Sequence, residues 1–77
     1  MEIPTAFGLV LKRSRKNKAL SQEQLADITN LDRTFISLME RGERQPTLTT
    51  LIAIAKALNV AASDLITEVE AVLNEAQ

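Results

Sequence analysis

Residues 21–41, SQEQLADITNLDRTFISLMER, carry the signals for two short helices joined by a tight turn. The first helix is predicted to begin at Gln22, because the Ser21 hydroxyl can accept a hydrogen bond from a backbone N–H of the first turn and the glutamine at the third helical position can return it. It is predicted to end near Thr29 and Asn30, since asparagine tolerates the left-handed conformation that a sharp helix exit requires. Asp32 supplies the next N-cap, with its charge at the positive end of the helix dipole. This order of caps predicts a helix-turn-helix.

The second helix is predicted over residues 33–41, stopping before Gly42. Phe35, Ile36 and Met39 form its apolar edge. The side chains predicted to face outward are one arginine, two hydroxyls and one leucine: Arg33, Thr34, Ser37 and Leu38. Arginine can pair bidentately with guanine, hydroxyls donate or accept hydrogen bonds, and leucine packs against the thymine methyl group. Such a surface suits the edges of DNA base pairs, although any one of these residues alone is typical of a solvated helix.

The charged residues are divided unevenly along the chain, although the net charge is only −1. Residues 1–59 hold all nine basic residues and six of the ten acidic ones, whereas residues 60–77 hold four acidic residues and no basic one. A basic segment can neutralise DNA phosphates, and an acidic end is repelled by them. The side chains of the basic segment that are predicted to contact the DNA backbone are Lys12, Lys16, Lys18, Arg41 and Arg44.

Several classes of function are disfavoured by what the sequence lacks. It contains no histidine and no cysteine, and it shows no paired carboxylates, glycine-rich phosphate loop or nucleophile motif. Without these groups an enzyme is not expected, and no metal, cofactor or small-molecule ligand is predicted. The longest apolar run is too short to span a bilayer, so no membrane partner is expected. The absence of cysteine fits a reducing compartment, and a cytoplasmic, nucleoid-associated location is therefore predicted.

The remaining sequence predicts three further helices and therefore an all-α fold. The predicted N-caps are Thr5, Thr47 and Ser63, for helices over residues 6–16, 48–58 and 64–75. The predicted core stripe of the fourth helix is Leu48, Leu51, Ala55 and Leu58. Gly8 weakens the first helix unless a neighbouring helix approaches closely there. With 77 residues, the chain is expected to form a single domain over residues 1–77, with a core over about residues 6–66.

The last predicted helix carries an apolar stripe that is longer than a domain of this size requires. Its members recur at spacings of three and four: Leu65, Ile66, Val69, Val72, Leu73 and Ala76. The first two are expected to complete the core, while the later ones and Ile52 leave an apolar patch in water. The predicted homodimer interface consists of Ile52, Leu65, Val69, Val72 and Leu73. The alternative is that the tail folds back onto the domain or frays at its end.

The chain resembles the Cro/C1-type (XRE) helix-turn-helix family of prokaryotic and phage transcriptional regulators. The resemblance is carried by Phe7-Gly8, Leu11, Arg15, Leu20-Ser21-Gln22, Leu25-Ala26, Leu31, Ile36-Ser37, Glu40-Arg41-Gly42, Pro46, Thr50-Leu51, Ala55 and Ala57-Leu58. It implies a compact, five-helix, lambda-repressor-like domain whose second and third helices dock on DNA, with the third in the major groove. Ala19, Asn30 and Asn59 stand where the family usually has glycine, so three turns are expected to form without it.

The resemblance also implies roles for single residues. On the DNA backbone these are Gln22 and Arg44, and on base edges they are Arg33, Thr34 and Leu38, with Ser37 beside them. A structural ion pair is implied between Arg15 and Glu40, joining the first helix to the third. Residues 31–37, LDRTFIS, are similar to the controller proteins of restriction-modification systems, and generic phage-type repressors share much of this pattern.

Together these features predict a sequence-specific transcriptional regulator that binds double-stranded DNA as a homodimer on a pseudo-palindromic operator. Its recognition helix, residues 33–41, is expected to lie in the major groove, and its C-terminal helix, residues 64–75, in the dimer interface. An alternative class stays open. The same scaffold can serve as a protein-interaction module, such as an antitoxin that binds a protein partner.

Overall fold

The computed structural model describes residues 1–75, which form five α helices. They are α1 (Ile3–Asn17), α2 (Gln22–Thr29), α3 (Arg33–Glu40), α4 (Leu48–Ala57) and α5 (Ala62–Glu75). α1 packs against α3 and α5, and α4 packs against α2 and α5, so the helices close around one core. Within this part of the chain no single helix is both long and apolar enough to cross a membrane; α4 and α5 pass that test only as a pair, which is bent by 104° at its break. The predicted all-α, five-helix fold is confirmed.

Three predicted N-caps form the hydrogen bonds expected of them. The Ser21 hydroxyl accepts from the Gln24 N–H at 3.0 Å, and the Gln24 side chain accepts from the Ser21 N–H at 2.8 Å, so the capping box is complete. Asp32 accepts from the N–H two residues further on at 3.0 Å. Thr47 accepts from the N–H three residues further on at 3.1 Å. The starts of α2, α3 and α4 are therefore predicted correctly by local chemistry.

The predicted start of α1 is wrong, because the helix begins at Ile3 and not at residue 6. Pro4 lies in the first turn, where its missing N–H removes no helical hydrogen bond. Glu2 is the N-cap, and its carbonyl accepts from the N–H of Ala6 at 3.1 Å. Thr5, which was expected to cap the helix, thus lies inside it.

The predicted start of α5 is also wrong, and three helix ends differ from the prediction by one residue, among them that of α1, which ends at Asn17 and not at residue 16. α5 begins at Ala62, so Ser63 lies inside the helix instead of capping it. The Ala61 carbonyl accepts from the backbone N–H groups of residues 64 and 65 at 3.0 and 3.4 Å. The first turn of α5 is therefore closed by a backbone carbonyl that precedes Ser63 in the chain. α3 ends at Glu40 and α4 at Ala57, each one residue before its predicted end.

α1, α2 and α4 end in the same left-handed turn. Ala19, Asn30 and Asn59 have φ angles of 57°, 58° and 57°. The N–H that follows each of them donates to the carbonyl five residues earlier, at 3.2, 3.0 and 3.0 Å. The residues that supply these N–H groups are Leu20, Leu31 and Val60, and all three pack partly buried against the core. The three turns therefore form without glycine, as expected. The steric cost of the left-handed conformation is greatest at Ala19.

The core is mainly aliphatic and draws on all five helices. Its buried hydrophobic residues are Ala6, Phe7, Val10, Leu11, Leu25, Ala26, Ile36, Met39, Leu51, Ile54, Ala55, Leu58, Leu65 and Val69. Gly8 lets α1 approach the end of α3, since a Cβ at this position would lie 2.5 Å from the carbonyl oxygen of Met39. The close approach of a neighbouring helix, which was the condition for a glycine inside α1, is therefore present.

Burial differs from the predicted stripes at several positions of α4 and α5. Leu48 was expected in the core and is 72% exposed, while Ile54, outside the predicted stripe, is fully buried. Ile66 was also expected in the core and is 43% exposed. The physical reason is that α4 packs against both α2 and α5, which selects a face of the helix that its own periodicity does not single out.

Candidate nucleic-acid interface

A buried ion pair fixes α3 to α1. The Nε and Nη2 atoms of Arg15 donate to the two carboxylate oxygens of Glu40 at 2.6 and 3.0 Å, and Nη1 donates to the Leu20 carbonyl at 2.7 Å. The side chains of the pair are only 9% and 3% exposed. The hydrogen bond to Glu40 raises the pKa of Arg15 above its ordinary value, against the opposing effect of burial. This pair is the contact between the first and third helices that the family resemblance implied, and it sets the position of α3.

Gln22 extends this network to the surface. Its Nε2 atom donates to Oε1 of Glu40 at 3.1 Å, and its Oε1 atom accepts from Nη1 of Arg33 at 3.4 Å. The side chain is half-buried, whereas Arg33 is exposed. The sequence placed Gln22 on a phosphate and gave no sign of these contacts, because they join the first residues of two helices to the last residue of α3.

The four predicted base-reading residues lie on α3 with different exposure. Arg33 and Thr34 are exposed in the first turn, and Ser37 and Leu38 are half-buried one turn further on. Ile36 and Met39, on the opposite edge, are buried in the core. The helix therefore presents its most accessible polar groups at its N-terminal end.

The predicted backbone-contacting residues after α3 are exposed, but one of them has an acidic partner. Arg41, the C-cap of α3, places Nε 3.1 Å from a carboxylate oxygen of Glu43, and both side chains are more than half exposed. Arg44 follows in the exposed loop, and Lys18 is exposed at the end of α1. Phosphate contacts by these residues stay predictions.

Lys12 and Lys16 line a groove along α1. The groove has a volume of about 560 Å³ and is shared with residues of α5, among them Val72 and Glu75. A further contact between the same helices is the ion pair of Arg13 with Glu68, at 3.0 Å. The basic residues of α1 therefore border acidic residues of α5.

The predicted dimer interface needs correction at two of its five positions. Leu65 and Val69 are 1% and 5% exposed and belong to the domain's own core, so neither has a free surface to offer a partner. Val72 and Leu73 are half-buried against that core. Ile52 is 42% exposed and keeps the accessibility that the prediction requires.

Two large apolar side chains that the sequence placed in the core, Leu48 and Ile66, are exposed, as Ile52 is. Leu48 lies one turn before it on α4, and the intervening Leu51 lines a cleft of about 130 Å³ together with Ile66 of α5. We call Leu48, Ile52 and Ile66 the α4–α5 apolar patch. The exposure of Ile52 was predicted, whereas that of Leu48 and Ile66 could not be read from periodicity, because both occupy positions that also fit a core stripe.

Among residues 1–75 there is no group of three or more acidic, histidine or cysteine side chains placed to hold a metal ion. The polar network around Arg15 and the exposed face of α3 are thus the features that bear on function. The exposed face of α3 belongs to the helix-turn-helix formed by α2 and α3, and the network joins this motif to α1 through Gln22, Glu40 and Arg15.

A sequence profile of this motif, described as helix-turn-helix, matches residues 11–65 of the chain. The chain belongs to the Cro/C1-type helix-turn-helix family. Control protein C.SmaI of Serratia marcescens is 46% identical over 67 residues, which cover 87% of this chain and 80% of that protein. Control protein C.MunI of Mycoplasma sp is 40% identical over 70 residues, covering 90% and 95%.

A solved relative shows the same fold with DNA. It is the restriction-modification controller protein C.Esp1396I, as a tetramer in complex with its natural 35 base-pair operator. The TM-score is 0.76 at 37% sequence identity, and the match covers 90% of this chain and 96% of the relative. This chain is accordingly a DNA-binding transcriptional regulator similar to restriction-modification controller proteins, and it is not an enzyme. The predicted family is confirmed.

Proposed function

We propose that this regulator binds a pseudo-palindromic operator as a homodimer, with α3 in the major groove. The observation that carries the proposal is the exposure of Arg33 and Thr34 at the start of a helix whose far end is fixed to α1 through Glu40. A helix held in this way presents its outer side chains in a constant orientation, which sequence readout requires.

The dimensions of α3 support this placement. An α helix with its side chains is about 10–12 Å across, which fits the major groove of B-DNA, about 12 Å wide. Arg33 is suited to a guanine, and Thr34 can donate to or accept from a base edge. The N-terminus of α2 and the exposed Arg41 and Arg44 are suited to phosphates, which fix the register of the helix on the duplex.

The α4–α5 apolar patch is the surface that we assign to the homodimer. Leu48, Ile52 and Ile66 are 72%, 42% and 43% exposed, and a two-fold axis through such a patch lets each copy cover the other with the same residues. This assignment replaces Leu65 and Val69 of the predicted interface with residues that are accessible. Two copies of α3 related by that axis can enter successive major grooves about 34 Å apart.

The biological role follows from the relatives. Two of them are named control proteins and a third is a restriction-modification controller bound to its operator. We propose that this chain likewise controls genes of a restriction-modification system, at the nucleoid and through its own concentration. A dimer that dissociates at low concentration makes operator occupancy rise steeply with expression.

The proposal is tested by selecting genomic DNA fragments with the purified protein at one fixed salt concentration, since affinity for DNA falls steeply with salt. The expected result is an inverted repeat whose half-sites are centred about 10 base pairs apart. Arg33→Ala should weaken binding by about 1–3 kcal/mol and relax one base position. Arg13→Ala is the matched control, because it removes the same charge from an arginine that pairs with α5.

Two results contradict the proposal. A folded protein that enriches no motif is not a sequence-specific regulator, and the protein-interaction alternative is then favoured. Equal losses for Arg33→Ala and Arg13→Ala, without a change of motif, would show that both arginines act only through charge.

A further inference from the structure

We infer that the groove between α1 and α5 is a docking surface for an acidic amphipathic helix of another protein. We call this surface, bounded by Leu9, Lys12 and Lys16 of α1 and by Val72 and Glu75 of α5, the α1–α5 groove. The inference goes beyond the proposed function, because such a partner would use neither the outer face of α3 nor the α4–α5 apolar patch.

The α1–α5 groove carries apolar surface in water. Leu9 is 48% exposed although it lies in the middle of a helix, and Met1, which also lines the groove, is 57% exposed. Val72 contributes from α5 and is half-buried. Adjoining exposed apolar side chains with a polar rim mark an interaction site, whereas a single exposed one needs no explanation. The groove therefore offers a partner an apolar strip to bury.

The rim on the α1 side selects a partner with negative charge. Lys12 and Lys16 are both exposed and lie one helical turn apart, about 6 Å along the axis. Within residues 1–75 neither lysine forms an ion pair with a carboxylate, whereas the neighbouring Arg13 is paired with Glu68 at 3.0 Å. Two carboxylates four residues apart on a helix have the matching spacing.

The opposite rim limits where the partner's charge can lie. Glu75 borders the groove from α5, and Glu68 of the same helix lies beside Arg13. A polyanion with charge on every side, such as duplex DNA, is repelled by these carboxylates. A helix with its acidic residues confined to the edge next to α1 and its apolar residues beside them avoids that repulsion. The charges of the groove therefore favour an amphipathic protein helix over a phosphate backbone.

The α1–α5 groove differs in position from the other two candidate surfaces. Gly8 and Arg15 face α3, and the residues that follow each of them, Leu9 and Lys16, are turned away from it by about 100°. On α5, Val72 lines the groove, whereas Ile66 lines the cleft beside α4. A partner seated in the groove therefore leaves α3 and the α4–α5 apolar patch free.

The groove is already formed in the free domain. α1 and α5 pack against each other along the core, and the ion pair of Arg13 with Glu68 joins them next to the groove. A surface that needs no rearrangement loses little affinity to ordering. A short helix can then bind there as it binds in the apolar groove of other helical proteins, through residues spaced by three and four.

The experiment uses the full chain and three synthetic helical peptides of about 18 residues, a length at which an alanine-rich helix is partly formed alone. All three carry the same leucines at spacings of three and four. Two positions, four residues apart on one edge of that stripe, are glutamate in the first peptide, glutamine in the second and lysine in the third. Fluorescence anisotropy of labelled peptide gives the affinities, and backbone amide shifts in NMR spectra locate the bound peptide.

The variant that tests the charge match is Lys12→Glu/Lys16→Glu. Its matched control, Lys18→Glu/Lys56→Glu, makes the same change of net charge at two exposed lysines that do not line the groove. Circular dichroism shows that each variant is folded.

We expect the glutamate peptide to bind the unmodified protein about 5-fold more tightly than the glutamine peptide, since each exposed ion pair contributes little, and the lysine peptide to bind most weakly. Lys12→Glu/Lys16→Glu should reverse this order, and the control variant should keep it. The amide shifts should centre on residues 9–16 and on Val72, and leave α3 unchanged.

Four outcomes overturn the inference. They are no saturable binding of the glutamate peptide to the folded protein, equal affinity for all three peptides, the same change of preference in both double variants, and shifts centred on α3. Displacement of the glutamate peptide by a non-specific DNA duplex also overturns it, because the lysines are then a phosphate-binding surface. None of these results bears on operator selection, so failure of this inference and failure of the proposed function are distinguishable.

Discussion

Arg15 and Glu40 form a bidentate ion pair across the α1–α3 contact, with side chains 9% and 3% exposed. A buried charge that loses its partner remains desolvated, so removal of one member costs more than the pair contributes. Arg15→Met should lower the free energy of unfolding by about 3–5 kcal/mol. Urea unfolding followed by circular dichroism measures this loss.

The double variant Arg15→Met/Glu40→Leu is the control for this prediction. It removes both charges and should recover much of the stability lost by Arg15→Met alone, because no unpaired charge stays buried. A double variant as unstable as the sum of the two single variants would show that shape, and not charge, governs this contact.

The parts of the fold that the sequence predicted well depend on neighbours in the chain. The caps at Ser21, Asp32 and Thr47 bind N–H groups two or three residues away, so their hydrogen bonds are implied by local spacing. The left-handed turns at Ala19 and Asn30 were likewise expected from the sequence. Local chemistry therefore places the ends of the helices that carry the candidate site.

The parts that the sequence missed depend on how helices face one another. Leu48 was expected in the core and is exposed, and Ile54 lay outside the predicted stripe and is buried. The contacts of α4 with α2 and α5, and not the periodicity of its sequence, select the buried face. Val69 was expected to lie outside the core and is part of it. The Gln22 network joins residues 11 and 18 positions apart in the chain, so no local pattern indicates it.

The left-handed conformation of Ala19 predicts that a glycine there stabilises the domain. Alanine pays about 1–2 kcal/mol in this region because its Cβ approaches the following carbonyl. Ala19→Gly removes that contact, while the added freedom of the unfolded chain offsets part of the gain. We expect a net gain of about 0.5–1 kcal/mol, measured by urea unfolding.

Asn59→Gly is the matched substitution, since Asn59 has the same φ of 57°. Asparagine tolerates the left-handed region better than alanine, so the gain should be smaller. A larger gain at Asn59 than at Ala19 would contradict the steric argument.

The exposed pair of Arg41 with Glu43 predicts that the acid restrains DNA binding. The carboxylate lies 3.1 Å from Nε of Arg41 and competes with a phosphate for the guanidinium. Glu43→Gln should raise the affinity for operator and non-specific DNA by the same few-fold factor, with little change in stability because both side chains are solvated. One additional phosphate contact steepens the dependence of log K on log salt by about 0.9. Fluorescence anisotropy over a salt series measures both effects.

Glu70→Gln is the control for this prediction, because it makes the same change of net charge at an exposed residue of α5. It should leave the salt slope nearly unchanged. If both variants steepen the slope equally, the effect comes from net charge and the local competition at Arg41 is excluded.

The homodimer proposed through the α4–α5 apolar patch predicts that a single substitution can abolish dimerisation without unfolding the domain. Ile52 is 42% exposed, so an aspartate there keeps its charge in solvent within the monomer but buries it in a two-fold interface. Ile52→Asp should therefore be monomeric by sedimentation equilibrium at concentrations where the unmodified protein is dimeric, with its helical circular dichroism retained. Ile28→Asp changes an isoleucine of α2 that is 57% exposed and should remain dimeric. Dissociation by Ile28→Asp and not by Ile52→Asp would place the interface on the helix-turn-helix side, where it would compete with DNA.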